Sequence, residues 1–201
     1  MQKQLQNFNF TEDMFSIQHI VGDLETTEGS MSDILASLKD EDFTQTLIGH
    51  GTEEVLNTDE RSSKTHHKTF NISNEEVDFD IKFKLIKYEK GDFFEMHKDS
   101  KGTHTCLIFC PSEFKGGDLI LKKNDLWELR FKPDTLPVTK DGEPCYTVLI
   151  FSTDFLHEVT PITEGVRYVL KGVIENEDSE EEYENVDWGG GLDGAYDSGD
   201  Y

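Results

Sequence analysis

The sequence is poor in cysteine, proline and basic residues, and it contains no long apolar run. Its three cysteines lack the spacing of zinc ligands and give no disulfide framework, which favours a reduced protein. No segment approaches the length of a membrane-spanning helix, and the N-terminal residues lack the apolar region of a signal peptide. We therefore expect a soluble, intracellular and cytoplasmic protein without a membrane partner.

Acidic residues outnumber basic ones by 42 to 19, which gives a formal net charge of −23. Such a surface repels phosphate backbones and anionic membranes, so nucleic acid is not the expected partner, although a local basic groove stays open. Residues 176–201 are acidic, rich in glycine and poor in aliphatic side chains, which predicts a disordered tail. Docking of this tail to a basic partner is the alternative to a purely solubilising role.

The N-terminal part, residues 1–75, predicts a mixed α/β lead-in that packs on the rest of the chain. Residues 15–21 have the composition of a short strand. Residues 32–38 begin with polar side chains and continue with apolar residues at helical spacing, and residues 42–48 continue or follow that helix. Residues 57–68 are polar and predict a solvated loop.

Residues 76–175 change to the alternation of apolar and charged side chains that is typical of strands. From Val77 to Leu85 this alternation predicts a strand with one buried face, and a slip in phase after Leu85 puts Tyr88 on the other face. Further strand-like runs, separated by glycine and proline, occupy residues 105–109, 118–121, 126–131, 146–151 and 168–174. The predicted fold class is mainly β with flanking helices (α+β), as a sandwich or open barrel.

Two separated segments contain the residue types that bind iron. His97 and Asp99 are two positions apart, and on a strand such residues point to the same side. His157 can complete the set from a neighbouring strand. Two imidazoles and one carboxylate occupy one face of Fe(II) and leave the opposite face open. Arg167 follows His157 and offers a cation that can bind a dicarboxylate through two hydrogen bonds.

These residues belong to longer motifs that resemble the 2-oxoglutarate- and Fe(II)-dependent oxygenases, specifically the prolyl 4-hydroxylase-like branch. The similarity covers residues 77–174, about half of the chain. A Gly-Gly-acidic-aliphatic strand is matched by residues 116–119. The two longer motifs are Tyr-x-x-Gly-x-x-aromatic-x-x-His-x-Asp and His-x-Val-x-Pro-Val-Thr-x-Gly-x-Arg, matched by Tyr88, Gly91, Phe94, His97, Asp99, and by His157, Val159, Pro161, Thr163, Gly165 and Arg167.

The resemblance implies a double-stranded β-helix (jelly-roll) core with His97, Asp99 and His157 as iron ligands. It implies that Arg167 binds the distal carboxylate of 2-oxoglutarate and that Tyr88 donates a hydrogen bond to the same molecule. The implied activity is that of a dioxygenase that uses Fe(II), 2-oxoglutarate and O2. Such an enzyme would hydroxylate a prolyl or other residue of a protein or peptide, with succinate and CO2 as co-products. A need for ascorbate (vitamin C) stays open.

One strand departs from the family pattern. Many relatives place a tyrosine after the His-x-Asp segment that contacts the co-substrate, and residues 105–110 contain none. Thr105 and Tyr168 are alternatives for this contact. Lys171 shares a strand face with Arg167, so it either assists the co-substrate, meets an acidic substrate group or extends to the rim of the barrel. Residues 122–145 form either a solvated hairpin or a lid that brings basic and aromatic groups to the site.

Two other functions stay open at this point. One is an oxygenase of the same superfamily that acts on nucleic acids, nucleotides or small molecules. The acidic charge, and the lack of an obvious second arginine after Arg167, count against nucleic acid. The other is a catalytically silent binding scaffold, against which the presence of all three ligands and Arg167 counts.

Overall fold

The computed structural model describes residues 15–45, 63–74, 78–99 and 102–175. In this part of the chain there are sixteen strands, one α-helix and two short 3-10 helices. The strands are β1 Ser16–Val21, β2 Glu25–Thr26, β3 Gly29–Ser30, β4 Phe43–Gln45, β5 Lys64–Ser73, β6 Asp78–Tyr88, β7 Phe94–His97, β8 His104–Phe109, β9 Phe114–Gly116, β10 Leu119–Asn124, β11 Trp127–Phe131, β12 Thr139–Lys140, β13 Glu143–Ser152, β14 Leu156–Val159, β15 Ile162–Gly165 and β16 Arg167–Ile174. The α-helix is α1 Met31–Ser37, and the 3-10 helices are Asp40–Asp42 and Pro133–Thr135.

Two antiparallel sheets form the centre of the molecule. The larger sheet has the order β1-β13-β8-β16-β6-β5-β2-β3, and the smaller has the order β11-β10-β14-β7. The chain passes back and forth between them: β6, β8, β13 and β16 lie in the larger sheet, and β7, β10 and β14 lie in the smaller. This alternation is that of a jelly roll, the double-stranded β-helix. The predicted fold class is confirmed, with one flanking helix among the described residues.

The larger sheet buries both of its faces. An inner core between the two sheets contains buried residues from both, including Leu107, Phe109, Leu119, Leu121 and Phe151. An outer core lies on the other face, where α1 and the strands beside it cover Leu24, Met31, Phe70, Phe83 and Ile108. The sequence signal for this second core is weak, because strands that are buried on both faces lose the simple alternation of apolar and polar residues.

Strand β6 shows how the two cores share one strand. Phe83 and Leu85 belong to the outer core, whereas Ile86 and Tyr88 belong to the inner one. Odd-numbered residues of β6 therefore point to the side of the outer core and even-numbered residues to the side of the inner core without interruption. The predicted slip in phase after Leu85 is wrong. Tyr88 does lie on the other face, because the inner core begins where the smaller sheet covers β6.

Two local predictions for the N-terminal part are wrong. Residues 64–68 are not a loop but the first half of β5, which pairs with both β4 and β6. Residues 43–45 are β4 and do not continue the helix, which ends at Ser37. In both cases pairing with a distant strand decides the structure, and local composition does not contain that information. The remaining residues of these predictions, 46–48 and 57–62, lie outside the described part.

The segment that follows β10 forms a hairpin. Strands β10 and β11 are antiparallel neighbours, and the exposed side chain of Leu126 lies at the turn between them. Part of the segment 122–145 is therefore a hairpin, and a role of this segment as a lid stays a prediction.

The predicted boundaries after residues 75 and 175 stay predictions, and the predicted tail, residues 176–201, lies outside the described part. Strands β1 and β5 join the larger sheet through β13 and β6. Among the described residues no helix has the length and apolarity needed to cross a lipid bilayer. The cytoplasmic location stays a prediction.

Asp23 ties the start of the chain to the outer core. Its carboxylate accepts a hydrogen bond of 2.6 Å from the hydroxyl of the buried Tyr146 on β13, and it accepts others from the backbone N–H groups of Leu24 and Ser32. Burial raises the pKa of this carboxyl, but the hydrogen bonds together outweigh burial and hold the pKa below its ordinary value of 3.8. The ionised form therefore stabilises the fold.

Replacing this carboxylate, as Asp23→Asn, should lower the free energy of unfolding at neutral pH by about 1–3 kcal/mol, since three donors lose a charged acceptor. The folded pKa lies below the unfolded one, so this stabilisation is complete above pH 3.8 and is lost as the pH falls through the folded pKa. Urea unfolding at several pH values should show the two proteins converging in acid. The exposed Asp125→Asn is the control, and a difference that does not change with pH would contradict the assignment.

Candidate metal centre

Three side chains that bind metals meet inside the barrel. One ligand atom each from His97, Asp99 and His157 lies within 4.8 Å of the other two. Nε2 of His97 is 3.7 Å from Oδ1 of Asp99, and Nε2 of His157 is 3.7 Å from Oδ2. His157 is buried, and His97 and Asp99 are partly buried. The arrangement offers two imidazole nitrogens and a carboxylate to one small volume.

The pairing of β7 with β14 places the two histidines side by side. His97 lies directly opposite His157, and their ring centroids are 4.1 Å apart. Between this pair and the next, Phe94 with Val159, β7 contains one residue more than β14, which is a β-bulge. Because of the bulge, Phe94 and His97 both line the same cavity although they are three positions apart.

Asp99 reaches the site differently from the way the sequence predicts. Strand β7 ends at His97, so Asp99 lies in the loop beyond it and not on the same strand face. Two neighbours in the larger sheet hold its carboxylate: the Thr105 hydroxyl donates to Oδ2, and Lys171 Nζ lies 2.6 Å from Oδ1. These contacts, and not the alternation of a strand, fix the third ligand.

Both histidines are prepared to bind through Nε2. Nδ1 of His97 lies 2.8 Å from the carbonyl oxygen of Glu95, and Nδ1 of His157 lies 3.2 Å from that of Phe155. A carbonyl only accepts, so Nδ1 carries the proton and Nε2 keeps its lone pair. Burial lowers the pKa of both rings, that of His157 to about 4 with help from the neighbouring His97. Both imidazoles are therefore neutral at physiological pH.

The carboxylate of Asp99 is the charged member of the set. Burial raises its pKa, but the charge of Lys171 and the hydrogen bonds from Lys171 and Thr105 outweigh that effect, so the pKa lies below its ordinary value. Neutral imidazoles and an ionised carboxylate are the protonation states that a metal ion needs.

Arg167 lies in the same cavity and is buried, and no carboxylate of the described residues pairs with it. The side chain is 2% exposed, one terminal NH group donates to the carbonyl of Gly117 at 2.8 Å, and Nε has no hydrogen-bond partner. The guanidinium is 4.1 Å from the ring centre of Tyr88 and 5.8 Å from that of Phe109. Burial lowers its pKa, yet an arginine stays charged at neutral pH. A buried cation with an unused donor is suited to an anionic ligand.

Tyr88 lies beside Arg167 in the cavity. Strands β6 and β16 place the two residues directly opposite each other. Burial raises the pKa of the Tyr88 hydroxyl, and the charge of Arg167 opposes this only in part. The hydroxyl therefore keeps its proton and can donate a hydrogen bond. Ser63, a fully buried polar residue that the sequence motifs did not predict, lies beside the Tyr88 hydroxyl.

A cavity of about 50 Å³ joins the two histidines to Arg167 and Tyr88. Lys171 also lines it. The remaining wall is mainly apolar and comes from both sheets: Ile86, Phe94, Leu107, Phe109, Leu119, Val159 and Val169. The donor set fits Fe(II), because two imidazoles and a carboxylate leave further positions free. The orphaned guanidinium donor fits a carboxylate, so the residues present suit 2-oxoglutarate as well as the metal.

The three residues proposed as additional contacts have different positions. Thr105 is fully buried and its hydroxyl donates to Asp99; a contact with the co-substrate stays a prediction. Tyr168 packs against the outer core, on the opposite face of β16 from Arg167, and it is not in the cavity. Lys171 does not extend to the rim but pairs with Asp99. Sequence reasoning missed this pairing; the shared face of Arg167, Val169 and Lys171 was the available signal.

No protein-family model matches the chain, and no curated protein matches it. Several solved structures are similar to it, among them these two. One is a 2OG-Fe(II) oxygenase family oxidoreductase from Burkholderia pseudomallei, with 22% identity over 46% of this chain and 42% of that one, at a TM-score of 0.37. The other is a Pseudomonas putida prolyl-4-hydroxylase, with 17% identity over 48% of this chain and 54% of that one, at a TM-score of 0.37.

The matched part spans less than two thirds of either solved structure.

Proposed function

We propose that the protein is an oxidoreductase, a 2-oxoglutarate- and Fe(II)-dependent dioxygenase. The observation that carries the proposal is the buried Arg167, which pairs with no carboxylate of the described residues and shares one cavity with His97 and His157, the two histidines that meet Asp99. A metal site without a positively charged side chain beside it would suit many hydrolases, and a buried arginine without a metal site would suit any anion. Their combination in one apolar cavity suits a dicarboxylate that binds the metal at one end and the arginine at the other.

The residues of the site would bind two different groups, the metal ion and the co-substrate. His97, Asp99 and His157 would hold the iron, and Arg167 with the Tyr88 hydroxyl would hold the distal carboxylate of 2-oxoglutarate. When bound, iron, 2-oxoglutarate and O2 supply an oxidant for C–H bonds that no side chain can provide. The apolar wall keeps water from the charged groups, which strengthens each of these contacts. No further catalytic side chain is needed.

The substrate that we propose is a prolyl or other residue of a protein or peptide, with succinate and CO2 as co-products. The support for it is the motif pattern around Tyr88, His97 and His157, which resembles the prolyl 4-hydroxylase-like branch. The net charge of −23 counts against nucleic acid as the substrate. Ascorbate would act only to keep the iron reduced, and a need for it stays a prediction.

Anaerobic titration with Fe(II) and 2-oxoglutarate tests the proposal, with the visible absorption of the iron–co-substrate chelate as the signal. We expect a saturable band in the wild type and none in His157→Ala, which removes one of the three ligands. His19→Ala removes an exposed imidazole outside the site and should leave the band unchanged. A folded wild type without a band, or a band that survives in His157→Ala, would refute the assignment.

A further inference from the structure

Lys171 is a second cation in the site, and it contacts a metal ligand directly. Its Nζ lies 2.6 Å from Oδ1 of Asp99, which is the oxygen 3.7 Å from Nε2 of His97. The side chain is only 27% exposed, and that of Asp99 is 10% exposed. The pair is therefore partly removed from water, where a contact between charges is stronger than at the surface.

Both oxygens of the Asp99 carboxylate already accept a hydrogen bond. Thr105 donates to Oδ2 while Lys171 occupies Oδ1. A metal ion that binds Asp99 has to replace at least one of these donors or share an oxygen with it. Of the two, Lys171 carries the positive charge, so it is the one that a cation repels.

The strand pattern makes this position a feature of the fold. Arg167, Val169 and Lys171 alternate along β16 and all line the cavity. The two-residue alternation of β16 thus directs both Arg167 and Lys171 into the barrel. Asp99, in the loop after β7, lies beside the ammonium group of Lys171. An ammonium here substitutes for the charge of the metal.

We propose that Lys171 competes with the metal ion: it neutralises Asp99 in the metal-free protein, is displaced when the metal binds, and so lowers the affinity of the site. The inference rests on the proposed function, since it takes His97, Asp99 and His157 as the ligands. Lys171 is a positioning residue here, because it acts through Asp99. If Lys171 only held Asp99 in place, its removal would weaken metal binding. Competition predicts the opposite, that its removal strengthens metal binding.

The test measures binding of Mn(II) alone, followed by the electron paramagnetic resonance signal of the free ion. Lys171→Met keeps the length of the chain and removes the ammonium, and we expect it to bind Mn(II) about tenfold more tightly because a charge-assisted hydrogen bond no longer opposes the ion. Lys171→Arg keeps the charge and should bind as weakly as the wild type.

Lys140→Met is the matched control. Lys140 lies on β12 and is exposed; β12 pairs with the start of β13, whereas Thr105, which holds Asp99, pairs with Phe151 near the other end of β13, so the substitution changes the net charge equally at a distance from Asp99. Its Mn(II) affinity should equal that of the wild type. If the folded Lys171→Met variant bound Mn(II) more weakly than the wild type or equally well, the proposal that Lys171 competes with the metal ion would be overturned. Absence of Mn(II) binding in every variant would instead overturn the proposed metal site itself, so the two failures are distinguishable.

Discussion

Replacing Arg167 by methionine should abolish binding of 2-oxoglutarate and leave metal binding intact. The guanidinium is 2% exposed; one terminal nitrogen donates to the Gly117 carbonyl, and Nε has no hydrogen-bond partner among the described residues, so a donor is available to a ligand. Removing one partner of a buried charge pair costs about 2–5 kcal/mol, which is a loss of affinity of about 30-fold or more. Calorimetric titration of the Mn(II)-loaded protein with 2-oxoglutarate measures it.

The same substitution should not lower the free energy of unfolding of the metal-free protein. A buried charge without a counter-ion is a cost to the fold, and an apolar side chain of similar length in its place is often neutral or stabilising. The stacking on Tyr88 that is lost works in the opposite direction but is a smaller effect. Loss of binding without loss of stability would thus separate a ligand-binding arginine from a structural one.

Arg130→Met is the control for this experiment. Arg130 lies on β11 and pairs with Asp118 at 2.8 Å, with its side chain 48% exposed, so the same change of residue should alter stability little and binding not at all. Arg167→Lys keeps the charge but loses the planar fork, and it should retain part of the affinity. If Arg167→Met bound 2-oxoglutarate as the wild type does, the cation would have no role in the site.

The strands were predictable from the sequence where they carry a clear apolar pattern. The alternation from Val77 to Leu85 predicts most of β6, and the runs around residues 105–109 and 146–151, which are buried on both faces, predict β8 and β13 within a few residues. The jelly-roll topology followed from the motif resemblance and not from alternation, because period two does not say which strands are neighbours.

The positions that local patterns missed depend on contacts between distant strands. Strand β4 forms because Phe43 packs into the outer core and the backbone pairs with β5. The bulge in β7 depends on its register with β14. Lys171 meets Asp99 only because β16 and the loop after β7 converge, 72 positions apart in the chain. None of these contacts leaves a periodic trace in the sequence.

The candidate site was predictable in its members but not in how they are held. The spacing of His97 and Asp99 suggested two ligands on one strand face, whereas the structure puts Asp99 beyond the strand and fixes it through Thr105 and Lys171. The three ligands meet as the motifs predict. Their role as ligands, and that of Arg167, stays a prediction until metal and co-substrate binding are measured.

Gly165→Ala should destabilise the protein by about 3 kcal/mol or more, with two causes that add. Gly165 has a φ of 74°, where an L-residue costs about 1–2 kcal/mol. A Cβ at this position would also lie 2.2 Å from the carbonyl oxygen of Glu113 and 2.8 Å from Cα of Phe114, both backbone atoms that cannot rotate away. Urea unfolding of wild type and variant measures the loss.

Gly142→Ala isolates the first cause. Gly142 has a φ of 89° in the turn between β12 and β13, and a Cβ there would meet nothing within 4 Å. It should therefore lose only about 1–2 kcal/mol. Strand β15, which contains Gly165, pairs with β9, and Gly165 lies opposite Phe114. Equal losses in the two variants would mean that β9 and β15 separate at no cost. The predicted excess at Gly165 instead requires that this pair of strands is held rigidly. Since Arg167 follows two residues later, the Gly165 variant should also bind 2-oxoglutarate more weakly, whereas the Gly142 variant should not.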